Sequence, residues 1–147
     1  MSHPPELAED RIDQEICGLV MEGVTLERNL TGSTMRNCKF LGCKFDRVLM
    51  AKTTWIECEF IGSTLISHFN DAEFVNCDFR ESTFRGLTWQ FGGLRAKFRE
   101  CNFSQSTFNH VLLRACRFSG CNLEGVRFVK CDVRGTKVDD KPLDVAG

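Results

Sequence analysis

From Met35 onward a large apolar residue recurs at every fifth position, and a small residue stands two places before it. The chain reads Cys38-Lys39-Phe40-Leu41-Gly42, then Cys43-Lys44-Phe45-Asp46-Arg47, and later Cys77-Asp78-Phe79-Arg80-Glu81 and Cys101-Asn102-Phe103-Ser104-Gln105. A period of five matches neither the 3.6-residue repeat of an α-helix nor the two-residue repeat of a flat strand. A short fixed period held over about a hundred residues signals a solenoid, whose units bury their apolar side only by stacking on one another.

The large residues, here called centres, run Met35, Phe40, Phe45, Met50, Trp55, Phe60 and Leu65. A step of four leads to Phe69, and steps of five resume through Phe74, Phe79, Phe84, Trp89 and Leu94. A second step of four reaches Phe98, followed by Phe103, Phe108, Leu113, Phe118, Leu123, Phe128, Val133 and Val138. The two short steps predict tightened corners. Grouping every fourth centre stacks Phe40, Phe60, Phe79, Phe98 and Phe118 in one internal column, with the small slots Cys38, Cys58, Cys77, Ala96 and Cys116 stacked beside it. The oversized small slots Val48, Leu87 and Val126 gather on another face, with Ser67 and Ser106 between them. Such matching is what strands ~4.8 Å apart require.

These units resemble the pentapeptide repeat family, whose pattern is a small residue, Asn or Asp, Leu or Phe, and two variable positions. The resemblance covers about residues 33–138. It departs from the pattern in two ways: the second slot often holds Lys, Arg, Thr or Glu, and Cys and Phe are used heavily. It implies an all-β fold, a right-handed quadrilateral parallel β-helix of about five to six coils, with centre and small residue both pointing inward.

The expected organisation is an acidic N-terminal cap at 1–32, the β-helix at 33–138 and a C-terminal tail at 139–147. Within the cap, Pro4-Pro5 followed by Glu6, Glu9 and Asp10 suits a first helical turn, where the helix dipole favours acids. Leu7, Ile12, Ile16, Leu19 and Val20 would form its buried side. The alternative is an irregular first coil built on Cys17-Gly18-Leu19 and Val24-Thr25-Leu26. Either arrangement covers the open apolar end of the stack. At the other end, Asp139-Asp140-Lys141-Pro142 stops the beat and blunts an exposed edge.

Net charge is −1, but it is unevenly spread. Residues 1–31 carry seven acids and two bases, residues 32–138 ten acids and sixteen bases, and residues 139–147 three acids and one base. Eight of the nine cysteines (all but Cys17) occupy the small slot, which elsewhere accepts Ser33, Ser63, Ser82, Ser106, Ala72 and Ala96. A slot that takes Cys, Ser and Ala alike selects small volume, so reduced, metal-free thiols are expected. No Cys-x-x-Cys pair supports zinc. No stretch approaches the ~18 apolar residues that span a bilayer, and the N-terminus lacks the regions of a signal peptide, so a cytoplasmic protein with no membrane partner is expected.

Little suggests catalysis. His68 and His110 have no carboxylate at a motif-like distance and are expected on the surface, two turns apart, while His3 sits near the N-terminus. Phosphate loops, His-Glu-x-x-His and nucleophile elbows are absent. Trp55 and Trp89 are centres and therefore core. No catalytic residue, cofactor or metal site is expected.

The outward slots carry the remaining signal. Leu41, Ile56, Ile61 and Val75 are expected on neighbouring outer positions, with Arg80, Arg95, Arg99, Arg114 and Arg134 beside them. One reading is an ordinary solvated strand surface. The other is an interaction surface for an acidic protein partner or a second copy of the chain. The resemblance also implies a different role, protection of bacterial DNA gyrase and topoisomerase from quinolones or toxins by mimicry of duplex DNA. Mimicry needs a strongly negative rod, whereas these repeats are basic, show no interruption for a loop and precede no long C-terminal helix for an end-to-end dimer. Direct nucleic-acid binding is disfavoured because every aromatic is assigned to the core. Other bacterial members of the family act as accessory or targeting modules beside secretion systems and effectors. A non-catalytic protein-interaction adaptor is thus the expected role.

Overall fold

An isolated three-residue strand has too few hydrogen bonds to persist, so each short segment here is held by the coils above and below it. The computed structural model describes residues 7, 9–88 and 91–144, and shows an all-β solenoid of about six turns. Four columns of centres line the interior, each named here by its member in the turn that begins at Met35. The Met35 column stacks Ile16, Met35, Trp55, Phe74, Phe98, Phe118 and Val138 through parallel pairing. The Phe45 column stacks Leu26, Phe45, Leu65, Phe84, Phe108 and Phe128. Pairing of the preceding residues sets the Phe40 column as Met21, Phe40, Phe60, Phe79, Phe103 and Leu123. It sets the Met50 column as Leu30, Met50, Phe69, Gly93, Leu113 and Val133.

Phe rings in one column lie face to face, as Phe60–Phe79 and Phe79–Phe103 do at 4.7 and 4.8 Å. Rings in neighbouring columns meet edge-on, as Phe74–Phe79 and Phe98–Phe103 do at 5.4 and 5.3 Å. Both geometries suit the ring quadrupole. The one polar atom of Trp55 is satisfied inside this core, its indole N–H donating to Thr53 Oγ1 at 2.8 Å.

The column expected from sequence holds through Phe79 and then changes partner. Phe98 lies above Phe74 and Phe118 above Phe98, while Phe103 lies above Phe79. Phe79 and Phe98 touch edge-on at 6.3 Å across adjacent columns. The turn from Phe74 to Phe98 therefore takes twenty-four residues, because the centre of its fourth side is Gly93 rather than Leu94. Nine residues rather than five thus separate the centres Phe84 and Gly93, and Leu87 within that span is on the surface at 46% exposure. Leu87 thus stands outside the small slots, and Val126 lies above Ser106 on the Phe45 side rather than in the column of Val48 and Ser67. Trp89, expected as a centre, lies outside the described residues. The uninterrupted repeat expected from sequence is corrected accordingly.

The first short step is an omitted corner, not a tightened one. Other corners place a residue two beyond the centre in the left-handed region, such as Asn37 at φ 52°, Glu57 at 54° and Arg95 at 59°. Strand Thr64–His68 instead runs straight past that point, burying Ile66 and Ser67. The coil beneath, in strand Lys44–Leu49, keeps its corner residue Arg47 as a bulge against it.

The first turn adopts the coil alternative. Strands Glu15–Cys17, Val20–Glu22 and Thr25–Leu26 pair in parallel with the coil above, and no helix occurs among the described residues. Pro4, Pro5 and Glu6 lie outside the described residues, while Leu7 is buried against this end. At the other end strand Lys141–Pro142 pairs antiparallel with Lys137–Val138 and covers the Met35 side only. Leu123, Phe128 and Val133 on the other three sides are half-buried.

Phe79→Ala is expected to destabilise the chain by about 3–5 kcal/mol in a denaturant melt, since ordered neighbours on both sides prevent collapse of the cavity. Gly93→Ala tests the register. A Cβ there would lie 2.5 Å from the Phe69 ring, so a clear loss of stability is expected, and a neutral result would favour Leu94 as the inward centre.

Candidate interaction surface

In most units the residues just before and just after the centre point outward (Ile66 is buried instead), so the register decides which outer side chains become neighbours. On the Met35 side the residues after the centres stack as Arg36, Ile56, Val75, Arg99 and Ser119. On the adjoining Phe40 side the sequence places Leu41, Ile61 and Arg80 in the equivalent slots, below Ser104 and Glu124. Leu41, Ile56, Ile61 and Val75 are all half-buried by their neighbours. Two aliphatic ribbons therefore run side by side across the corner that carries Glu57 and Asn76, with Arg80 and Arg99 closing their upper ends.

The other three arginines fall elsewhere. Arg114 pairs in register with Leu94 on the Met50 side, Arg134 continues that line, and Arg95 occupies the corner leading from it to the Met35 side. The register change after Phe79 carries them away from Ile61.

Every arginine of the set already holds an acid of its own chain. Arg80 pairs with Asp78 at 2.8 Å, Arg95 with Asp71 at 2.8 Å and Arg99 with Glu73 at 2.6 Å. Arg114 and Arg134 share Asp132, each at 2.7 Å. These pairs are solvated, and such pairs contribute about 0–1 kcal/mol each. They matter more for what the surface presents: five positive charges partly cancelled before a partner arrives. Lys39–Glu59 and Arg36–Glu15, missed by reading one outer slot alone, complete this rim at 3.6 and 3.1 Å. The signal for them lay partly in the slot before each centre, which holds Glu15, Lys39 and Glu59.

The histidines are not brought together as a site. His68 stacks on Phe91 at 4.3 Å, so it is half-buried beside the inserted segment, and His110 occupies an exposed corner. Among the described residues no cluster of three or more His, Cys, Asp or Glu has a metal-holding arrangement. An open groove of about 600 Å³ lies at the C-terminal end, lined by Asp132, Val133, Arg134, Thr136, Pro142 and Leu143 among others.

The small-slot columns follow the corrected register. Cys38, Cys58, Cys77, Cys101 and Cys121 stack together, and Ala96 and Cys116 belong to the column of Ser33, Thr53 and Ala72. Three hydroxyls in these slots, those of Ser33, Ser63 and Thr136, bridge coils, as Ser63 does by donating to Phe40 O at 2.7 Å and accepting from Cys43 N at 3.0 Å. Thiols do so more weakly, with Cys101 Sγ 3.4 Å from Phe74 O. All nine cysteines are free, and burial pushes the Cys77 and Cys116 thiols up, the latter to about 11.

Stacked turns of four five-residue units, each with a small and a large residue inward, define one repeat class, and eight copies of pentapeptide repeats match residues 96–135. The chain thus carries pentapeptide repeats. No curated protein matches its sequence. Two trypsin-treated variants of QnrB1, a plasmid-mediated fluoroquinolone resistance protein, superpose on this repeat protein with TM-score 0.58. They are 21% and 22% identical to it, covering 84% and 82% of this chain and 72% and 73% of theirs. That likeness bears on the fold alone. HetL, a pentapeptide repeat protein involved in heterocyst differentiation regulation from the cyanobacterium Nostoc sp. strain PCC 7120, is 7% identical, with TM-score 0.38 over 90% of this chain and 92% of its own. At that score it carries no argument. No catalytic family is among the matches. Among the described residues no helix is long and apolar enough to cross a membrane.

Asp132 gives this surface an acid-sensitive point. The Arg134 guanidinium, with Arg114 beside it, holds the Asp132 carboxyl well below the usual carboxylate range. Folding thus favours the ionised form, and the stability it contributes is present above the unfolded carboxylate value of ~3.9 and is lost as pH falls below it. Thermal midpoints measured from about pH 5 down to pH 2 should fall more steeply for the unaltered protein than for Asp132→Asn. Parallel curves would remove Asp132 from the acid response.

Proposed function

We propose that this repeat protein is a non-catalytic protein-interaction module that docks a partner protein across its Met35 and Phe40 sides. The supporting observation is the paired aliphatic ribbon of Ile56 with Val75 and Leu41 with Ile61, held flat on a stack whose backbone bonds are already made. Such a surface needs little ordering on binding, so its buried aliphatic area converts to affinity with a smaller entropic loss. Arg80 and Arg99 sit at the ribbon ends, where acidic groups of a partner can compete for them with Asp78 and Glu73. The partner is an acidic protein or a second copy of the chain. Arg95, Arg114 and Arg134 contribute to the outer field rather than to the contact.

The test is an affinity pull-down with the immobilised full chain, followed by the Ile56→Lys, Ile61→Lys double variant. The double variant is expected to lose the captured partner, or the self-associated species in sedimentation, while keeping its circular dichroism and melting midpoint. Arg95→Glu with Arg114→Glu is expected to change affinity several-fold less. Loss of binding in the arginine variant with retention in the isoleucine variant would place the contact on the Met50 side instead.

A second reading is favoured by one observation, the interruption of the fourth turn between Phe84 and Gly93. Fluoroquinolone resistance is the role stated for QnrB1, and a break in the repeat that exposes Leu87 would give a topoisomerase a feature to grip. The basic repeat body argues against mimicry of DNA, because a basic channel repels it. A gyrase supercoiling assay with a fluoroquinolone present separates the two. Protection by the unaltered protein at stoichiometric concentration would establish the second reading over the first.

A further inference from the structure

Two outer columns run up the Phe40 side. In the slot before the centres, Val20 pairs with Lys39, Lys39 with Glu59, and Glu59 with Asp78. In the slot after them Glu22 pairs with Leu41, and Ile61 and Arg80 follow on the next two rungs, where Gly42 N donates to Ile61 O and Gly62 N to Arg80 O. The corner beyond Leu41 and Ile61 is bare. Gly23, Gly42 and Gly62 hold it at φ between 58° and 66°, and a Cβ on any of them would meet nothing within 4 Å. Backbone conformation alone does not demand glycine, since Asn37, Glu57 and Asn76 hold the other corner of the same side at φ between 52° and 54°. The glycines thus leave an open edge along which another surface can approach the aliphatic pair closely.

We propose that this side binds a second copy of the chain, antiparallel and face to face, about a two-fold axis crossing the rod midway between the turns that begin at Met35 and Trp55. This contact rests on the reading of the surface as an interaction module and selects one partner for it. Such an axis sets each residue against the one equally far beyond the axis in the same slot. Leu41 then meets the partner's Ile61, and Ile61 the partner's Leu41, as an aliphatic square. Lys39 meets the partner's Glu59; because Lys39 and Glu59 already pair within one chain at 3.6 Å, the four charges alternate around a second square. One rung further out, Glu22 meets the partner's Arg80, which Asp78 of its own chain holds at 2.8 Å. Val20, 63% exposed, is covered by that Asp78–Arg80 pair. At the bare edge Gly42 meets the partner's Gly62, and at the other corner Asn37 meets the partner's Glu57. Over these four turns no like charges stand directly opposed.

Other placements fail on the same residues. An axis through the Met35 turn sets Lys39 against Lys39, and one through the Trp55 turn sets Glu59 against Glu59. An axis midway between the Trp55 and Phe74 turns sets Glu59 against Asp78. A parallel arrangement sets Lys39 against Leu41 and Glu59 against Ile61. The Met35 side offers no equivalent, because the axis that opposes Ile56 to Val75 also opposes Arg36 to Arg99. Like charges in opposition exclude wrong pairings more strongly than good contacts select the right one. The contact is one side wide and ~14 Å long between its end rungs, which places it among the small, transient interfaces. A weak, salt-sensitive dimer is therefore expected.

The experiment is sedimentation velocity of the full chain from micromolar to millimolar concentration, at low and at high salt. A monomer–dimer equilibrium should appear and shift toward monomer as salt rises. Lys39→Glu alone and Glu59→Lys alone should each weaken it by about tenfold or more, since each sets like charges together twice. Both should keep the circular dichroism of the unaltered chain, because that slot accepts acids and bases alike. Mixing the two variants should restore a dimer with one copy of each, in which the exchanged charges are again opposed. Gly42→Asn, a residue that Asn37 shows the corner conformation accepts, should weaken the dimer, whereas Ile56→Lys should leave it intact. The proposal is overturned if the chain is monomeric throughout, if the single charge variants dimerise as the unaltered chain does, or if their mixture restores nothing. Capture of a different protein in the pull-down is independent of these three results, so the interaction module and this dimer stand or fall separately.

Discussion

Registered stacking of one coil on the next is the constraint on which the rest of this molecule depends. A three-residue strand contributes almost nothing alone, and its backbone groups are satisfied only by the coils on either side. Bonds such as Phe60 N to Asp78 O and Phe79 N to Asn102 O, both 2.7 Å, recur along the rod. Register then fixes everything else: which rings lie face to face, which small slots share a column and which charges meet outside. Interior and exterior are coupled because inward and outward positions alternate in the same strands. A slip of one unit inside would exchange every outer neighbour as well.

That coupling explains how the sequence could be legible in one respect and misleading in another. The five-residue beat was sufficient for the solenoid, its four sides and the membership of columns as far as Phe79. Beyond it, the fourteen residues from Phe84 to Phe98 can be divided as five, five and four, or as nine and five. Trp89 and Leu94 favour the first division on hydropathy. Gly93 decides for the second because Phe69 fills the space inside it, a fact about the coil below that local pattern does not contain. The omitted corner at Thr64–His68 was visible as a short step, but its form depended on whether Arg47 beneath it could bulge.

The candidate surface was legible to the extent that its register was. Ile56 with Val75, and Leu41 with Ile61, lie in the part of the chain where counting works, and they share adjacent sides as expected. Arg95, Arg114 and Arg134 lie past the interruption and moved with it. Their pairing with Asp71 and Asp132 was not legible, since it joins residues a full turn apart or crosses from one outer slot to another. The thiol column was hidden for the same reason, since Cys101 and Cys121 join Cys38, Cys58 and Cys77 only in the corrected register.

A perfectly regular rod has a weakness as a recognition object: translation by one coil maps it onto itself, and a bound molecule would find several equivalent seats. This chain breaks that degeneracy twice, with the straight passage at Thr64–His68 and the lengthened spacing between Phe84 and Gly93. Both lie on the third and fourth sides, within a turn of each other. Together they act as an index mark on a ruler, giving every outer position a unique distance from one landmark and leaving a rigid ligand a single phase in which to sit.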